Sequence, residues 1–270
     1  MDAYPALIDD LVAEETALDE IVDALDADAW ARPTPAEGWT VCDQVAHLAA
    51  TEEWAHLAAV DEASFRRQLA EYIGDADGRD AEMQSGRLGR RPPDGTEHTG
   101  WALRWWQAGR TAMVDRLRVL DARDRLPWFG PDMSAMSFAT ARLMEAWAHG
   151  QDVADALDVV REPTARLRHI ADLGIRTRGY AYASRGMTIP DVPVRVDLAA
   201  PGDDDVWSWG PAEAPDSVLG SARDFCLVVT QRCHPTDTEL TIIGDAAREW
   251  MGIAQAFAGG PTDQRPPGRG

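Results

Sequence analysis

The chain has 270 residues and a mass of 29.5 kDa, with 45% hydrophobic residues, 27% charged residues and a formal net charge of −20. That is enough for one large soluble domain or two ordinary ones. So acidic a balance argues against nucleic acid and anionic membranes as partners, since both call for a basic surface. All 26 basic residues are arginine, which excludes Schiff-base chemistry and a P-loop lysine, and asparagine is absent, so there is no glycosylation sequon.

Residues 3 to 28 carry Leu7, Leu11, Leu18, Ile21, Val22 and Leu25 between acids, the spacing of an amphipathic helix. Two prolines and a glycine between Trp30 and Trp39 break it. Thr40, with Asp43 three residues on, is an N-cap signal and predicts a second helix from Val41 to about Ile73. A loop rich in Gly, Asp and Arg is expected over 74–96, and a tryptophan-rich helix from about Glu97 to Asp121. Ser134 can cap a fourth helix running to about Val159. These elements predict a four-helix bundle over 1–160.

Beyond Pro163 the pattern turns to α+β, predicting a second domain over 161–258. It reads as a helix from Thr164 to about Ser184, strands at 192–198, 206–209 and 239–243, a mostly helical Ser217–Arg232, and a last helix from Asp245 to Ala258. The Gly- and Pro-rich stretch 259–270 reads as a disordered tail. The fold class expected is thus mainly α, a four-helix bundle with a smaller α+β C-terminal domain. No apolar run approaches the ~18–20 residues that cross a bilayer. The N-terminus lacks the features of a signal peptide, so a cytoplasmic location is expected. Cys42, Cys226 and Cys233 are an odd set without a CxxC pair, fitting reduced thiols.

The chemistry concentrates in Glu145-Ala-Trp-Ala-His149-Gly-Gln-Asp152. At about 100° per residue, Glu145, His149 and Asp152 fall within roughly 60° of one another on a helix surface. Two metal-ligand types then point the same way from successive turns, although a solvated helix face would show the same spacing. Among the other histidines, His47 shares a small-residue, partly buried face with Ala50, Thr51, Trp54 and Ala58, whereas His56 aligns with Glu52 and Glu53 as if solvated. His47 is the best third ligand, its competing reading being a hydrogen-bonded core histidine. Two histidines and one carboxylate leave coordination positions open, as in a catalytic metal site. Asp152 is an acid orienting a ligand, a weaker ligand, or a surface charge. Trp54 and Trp147 are the aromatic residues expected to wall the site.

The stretch Pro35-Ala-Glu-Gly38-Trp39-Thr-Val-Cys-Asp43-Gln-Val-Ala-His47-Leu-Ala resembles the second-helix signature of the DinB-like superfamily, and within it the mycothiol-dependent maleylpyruvate isomerase branch. The run from Glu145 to Ala154 is similar to that branch's fourth-helix signature. The resemblance implies a four-helix bundle holding one divalent metal, usually zinc, through His47, Glu145 and His149, and a mycothiol-type small thiol as nucleophile or cofactor. Val218 to Arg232 resembles the branch's C-terminal domain, where a helix ends in a Gly-Arg pair; Gln231 replaces the glycine here, which puts the local turn in question. Arg232 matches a functional arginine of the family, and its competing reading is a surface arginine favoured by the helix dipole. The reaction implied is that of a zinc-dependent isomerase or S-transferase on a small molecule, with Arg232 and Asp152 as candidate catalytic residues and a monomer or homodimer as the expected assembly. Two alternatives stand beside it: a thiol-independent metal-dependent hydrolase, lyase or cyclase acting on a specialised metabolite, and a non-catalytic metal-stabilised binding protein.

Overall fold

The computed structural model describes residues 3–75, 87–92, 100–202 and 205–268. The chain is mainly α, with a smaller α+β part at its C-terminal end, and divides into two compact units, Met1–Arg161 and Glu162–Gly270.

The first unit is built on four long helices: α1 (Ala3–Val22), α3 (Val41–Val60), α5 (Trp101–Leu117) and α6 (Ala135–Ala156). Two shorter ones, α2 (Ala27–Trp30) and α4 (Glu62–Gly74), accompany them. Helix α3 packs chiefly against α5, and α1 against α6; α3–α6 and α1–α5 contacts close the bundle. The stripe Leu7, Leu11, Leu18 and Val22 of α1 is buried, as its period requires. Val41, Val45, Leu48 and Ala49 of α3 meet Trp101, Trp105 and Trp106 of α5 in the core. Gly109 permits this approach, because a Cβ there would stand 3.1 Å from Glu52 Cβ.

Helix ends follow their caps. Thr40 and Asp43 form a complete capping box on α3, and Ser134 Oγ accepts the Ser137 N–H to start α6. The predicted helix Val41–Ile73 is broken at Asp61, whose backbone leaves the helical region and whose carboxylate accepts the Ser64 N–H, so that α4 begins there as a separate helix. Strands β1 (Arg125–Leu126) and β2 (Met133–Ser134) pair antiparallel just before α6. Most of the predicted loop 74–96, and the first residues of the predicted helix from Glu97, lie outside the described residues.

The second unit holds a four-stranded sheet of order β4-β3-β5-β6, with β3 (Val194–Ala199) parallel to β5 (Asp216–Ser221) and the edge strands β4 (Val206–Trp209) and β6 (Thr241–Ile243) antiparallel to their neighbours. Helices α7 (Leu167–Arg176), α8 (Arg178–Ala183), α9 (Ala222–Val229) and α10 (Asp245–Ile253) accompany the sheet, with α7 packed on α9. The predicted helix 164–184 is interrupted at Thr177. The first part of Ser217–Arg232, read as helix, is strand β5, and the helix starts only at Ala222, where Ser221 caps Asp224.

The tail expected to be disordered departs from that reading. Gln264 Nε2 donates to the carbonyls of Val228, Met251 and Ala254, and Thr262 Oγ1 donates to Gln231 Oε1 at 2.7 Å. A Gly/Pro-rich segment needs such fixed partners to offset its chain entropy. Composition does not reveal them.

Candidate metal centre

Two helices of the bundle bring His47, Glu145 and His149 together. One ligand atom from each lies within 4.8 Å of the others, and among the described residues no other group of three or more His, Cys, Asp or Glu gathers in this way. His47 comes from the second turn of α3, whose capping box fixes where the helix starts and hence which face carries residue 47. Glu145 and His149 lie one turn apart on α6. The imidazole centroids of His47 and His149 are 4.6 Å apart, and His149 Nε2 lies 3.1 Å from Glu145 Oε2.

Burial alone would raise the Glu145 pKa. The hydrogen bond from His149 and the charges of His149, Arg142 and His47 outweigh it and hold the carboxyl well below the usual carboxylate range. A carboxylate favoured in its ionised form beside two imidazoles is the donor set of catalytic zinc centres and of other first-row divalent ions. Three protein donors, two of them only half-buried, leave room for an exogenous ligand. The residues therefore fit a divalent metal ion.

The surroundings of the triad were not legible in the sequence. Gln44, with no exposed surface, approaches His149 Nδ1 with its Oε1 at 2.6 Å, and its Nε2 donates to Thr34 Oγ1 at 2.9 Å. Trp39 rather than Trp54 or Trp147 packs on the imidazoles. Its ring is stacked on His149 at 6.0 Å and tilted against His47 at 5.2 Å, while the ring contacts of Trp54 are with Phe65, Tyr72 and Phe129. Glu52, read as solvated, is only 3% exposed and faces the equally buried Arg142 at 3.8 Å. Burial pushes Glu52 up to about 7; Arg142 and Arg110 oppose the shift and Glu145 adds to it. The periodicity of α3 hinted at none of this, because Glu52 is buried by the close approach of α5 at Gly109.

Asp152 is 1% exposed on α6, one turn beyond His149, which rules out the surface-charge reading, and it is not a member of the triad. Arg232 belongs to the second unit. It follows α9, is half-buried, and donates from Nη1 to Thr230 O at 2.7 Å. Gln231 before it takes the left-handed conformation (φ 60°) that the glycine of a Gly-Arg pair would hold, so the turn is preserved without glycine. Its side chain donates to the carbonyls of Ala254 and Thr262 at 3.0 and 3.1 Å. Burial pushes the Cys226 thiol far up, and Cys233 is also raised, so neither is a ready nucleophile.

The family model described as the mycothiol maleylpyruvate isomerase N-terminal domain matches residues 11–154, more than half of the chain and all of the triad. The chain belongs to this family. Relatives at 44% identity over 268 residues, covering 97% of this chain and 96% of theirs, are uncharacterized proteins from two strains of Mycobacterium tuberculosis. Crystal structures of a mycothiol-dependent maleylpyruvate isomerase and of a histidine-to-alanine variant share the fold. Each superposes with a TM-score of 0.54, at 14% identity for the former and 16% for the variant. They cover 88% and 85% of this chain, and 92% and 89% of their own length. Among the described residues no helix is long and apolar enough to cross a membrane.

Proposed function

We propose that this member of the maleylpyruvate isomerase family is a metal-dependent enzyme of the mycothiol-dependent isomerase or S-transferase type, with one divalent ion, zinc by donor preference, held by His47, Glu145 and His149. The convergence of these three side chains from two helices carries the reading. An ion bound there supplies one thing above all: it stabilises the deprotonated form of a small thiol. The chain's own residues do the rest. Glu145 contributes a carboxylate, and His47 and His149 each contribute an imidazole nitrogen. Trp39 covers one side of the imidazoles and leaves an apolar, polarizable face for sulfur to pass.

In the isomerase form of the reaction the thiol's sulfur adds to one carbon of an activated double bond and a proton to the other. Rotation about the new single bond and elimination of both return the thiol unchanged. In the transferase form the thioether is the product. We assign Asp152 to holding the ligand-bearing turn of α6 in place. Arg232 is assigned to binding a substrate carboxylate or a developing enolate through its guanidinium.

The test is turnover of cis-unsaturated keto acids and other electrophiles by metal-loaded protein with and without mycothiol. Mycothiol-dependent turnover, abolished in Glu145→Gln, is the expected result. Turnover that is indifferent to any thiol would replace this reading with a metal-dependent hydrolase or lyase.

A further inference from the structure

The amide of Gln44 is wholly buried and placed between two partners that constrain it from opposite ends. Thr34 has one hydroxyl proton, and it donates to Trp39 O at 2.9 Å. Its oxygen is therefore left to accept from Gln44 Nε2. With the nitrogen end so engaged, Gln44 presents its oxygen to His149 Nδ1 at 2.6 Å. A carbonyl oxygen can only accept, so Nδ1 must carry the proton. In a neutral imidazole the other nitrogen, Nε2, is then a bare lone pair, and it is this nitrogen that points at Glu145 Oε2, 3.1 Å away. Two lone pairs converging at that distance repel unless a proton or a metal ion lies between them; a proton makes the contact the hydrogen bond to Glu145, and a divalent ion would displace it. The hydrogen-bond chain that starts at Thr34 thus sets up the electron pair a metal ion needs.

We propose that Gln44 is the positioning residue of this centre: it selects Nε2 as the ligating nitrogen of His149 and fixes the ring plane. The inference rests on the metal-site reading above and deepens it. The constraint reaches back into the loop before α3. Arg32 O accepts the Val41 N–H, Pro33 and Thr40 form an isolated bridge, and Thr34 N–H donates to Trp39 O at 2.8 Å, with Gly38 turning the chain at φ 79°. This short loop places both the Thr34 hydroxyl and the Trp39 ring that stacks on His149. His149 is consequently held on one edge by Gln44, on one face by Trp39, and on its other edge by Glu145. Outer partners of ligating histidines typically matter by 10–100-fold in metal affinity.

The experiment is zinc affinity by competition with a chromophoric chelator on the full chain, for wild type, Gln44→Leu, Gln44→Glu and Thr34→Val. Wild type should bind one ion. Gln44→Leu, which fills the space without an acceptor, should lose about 10–100-fold. Gln44→Glu keeps an acceptor for Nδ1–H and should recover most of that loss. Thr34→Val leaves Gln44 in place but releases its nitrogen end, and should fall between. A second readout is proton NMR of the zinc-loaded protein, where an imidazole N–H held by a buried acceptor exchanges slowly with water. The His149 Nδ1–H signal should be visible in wild type and missing in Gln44→Leu. Wild-type affinity in Gln44→Leu, or no recovery in Gln44→Glu, overturns the role given to Gln44 while leaving the metal site standing. Absence of zinc binding in wild type overturns the site reading itself. Should Gln44→Leu not fold, the Thr34→Val affinity and the wild-type N–H signal decide the matter alone.

Discussion

Replacing Glu52 by glutamine is expected to stabilise the metal-free protein at pH 8 and to leave it nearly unchanged at pH 4. Glu52 and Arg142 are each only 3% exposed, and among the described residues neither Glu52 Oε2 nor Arg142 Nη1 has a hydrogen-bond partner. Their 3.8 Å separation is too long for a hydrogen-bonded ion pair, so the attraction does not repay the burial of the carboxylate. Glu15 faces the same interior. Its carboxyl is raised by burial and by Glu52 and is drawn back by Arg110 and Arg142.

Folding lifts the Glu52 pKa from 4.5 to about 7. The folded chain therefore holds this proton over a range in which the unfolded chain has released it. The stability that results is complete below about pH 4.5 and is lost as pH rises through about 7. At 1.36 kcal/mol per pKa unit, the loss amounts to about 3 kcal/mol by pH 8. Glutamine mimics the protonated carboxyl at every pH and escapes that loss. The gain corresponds to roughly 6–12 °C in melting temperature for a unit of this size.

The assay is urea unfolding at pH 4, 5, 6, 7 and 8 in the presence of a chelator, followed by tryptophan emission; eight of the eleven tryptophans lie within residues 1–161. Equal pH slopes in the two proteins, or a variant weaker than wild type at pH 8, would refute the reasoning.

Other perturbations follow from close contacts and from the site. A Cβ at Gly174 would lie 2.8 Å from Val229 Cγ2, so Gly174→Ala should destabilise the second unit by about 1–3 kcal/mol, and Val229→Ala in the same chain should restore part of it in urea melts. Gln231 combines a left-handed backbone with side-chain bonds to Ala254 and Thr262. Gln231→Ala loses the bonds and keeps the strain, and so should fall below Gln231→Gly by about 1 kcal/mol; the reverse order of denaturation midpoints would contradict the strain argument. Zinc addition should change wild-type tryptophan emission through Trp39, the ring stacked on His149, and most of that change should vanish in Trp39→Phe, with an undiminished change in the variant counting against the geometry.

The triad could be read from the chain because its pieces are local: Glu145 and His149 share a helical face, and a capping signal at Thr40 sets the phase of the helix that carries His47. The breaks at Asp61 and Thr177 were not legible, since neither residue is a proline or glycine and both could continue a helix. Strand β5 has too few alternating residues to announce itself; it exists because β3 and β6 pair with it from distant parts of the sequence. Gln44 carries no local signal for the same reason. Its buried amide has meaning only through His149, 105 residues away. Local periodicity reports the ligands of a site, and long-range packing decides what orients them.

The most direct test of the account is elemental analysis of protein purified without a chelating tag, in wild type and in His47→Ala and His149→Ala. One divalent ion per chain in wild type, and near-complete loss in both variants with circular dichroism unchanged, is the predicted result. Full metal content in both variants, or a wild-type protein that takes up no ion when zinc is supplied, would contradict it.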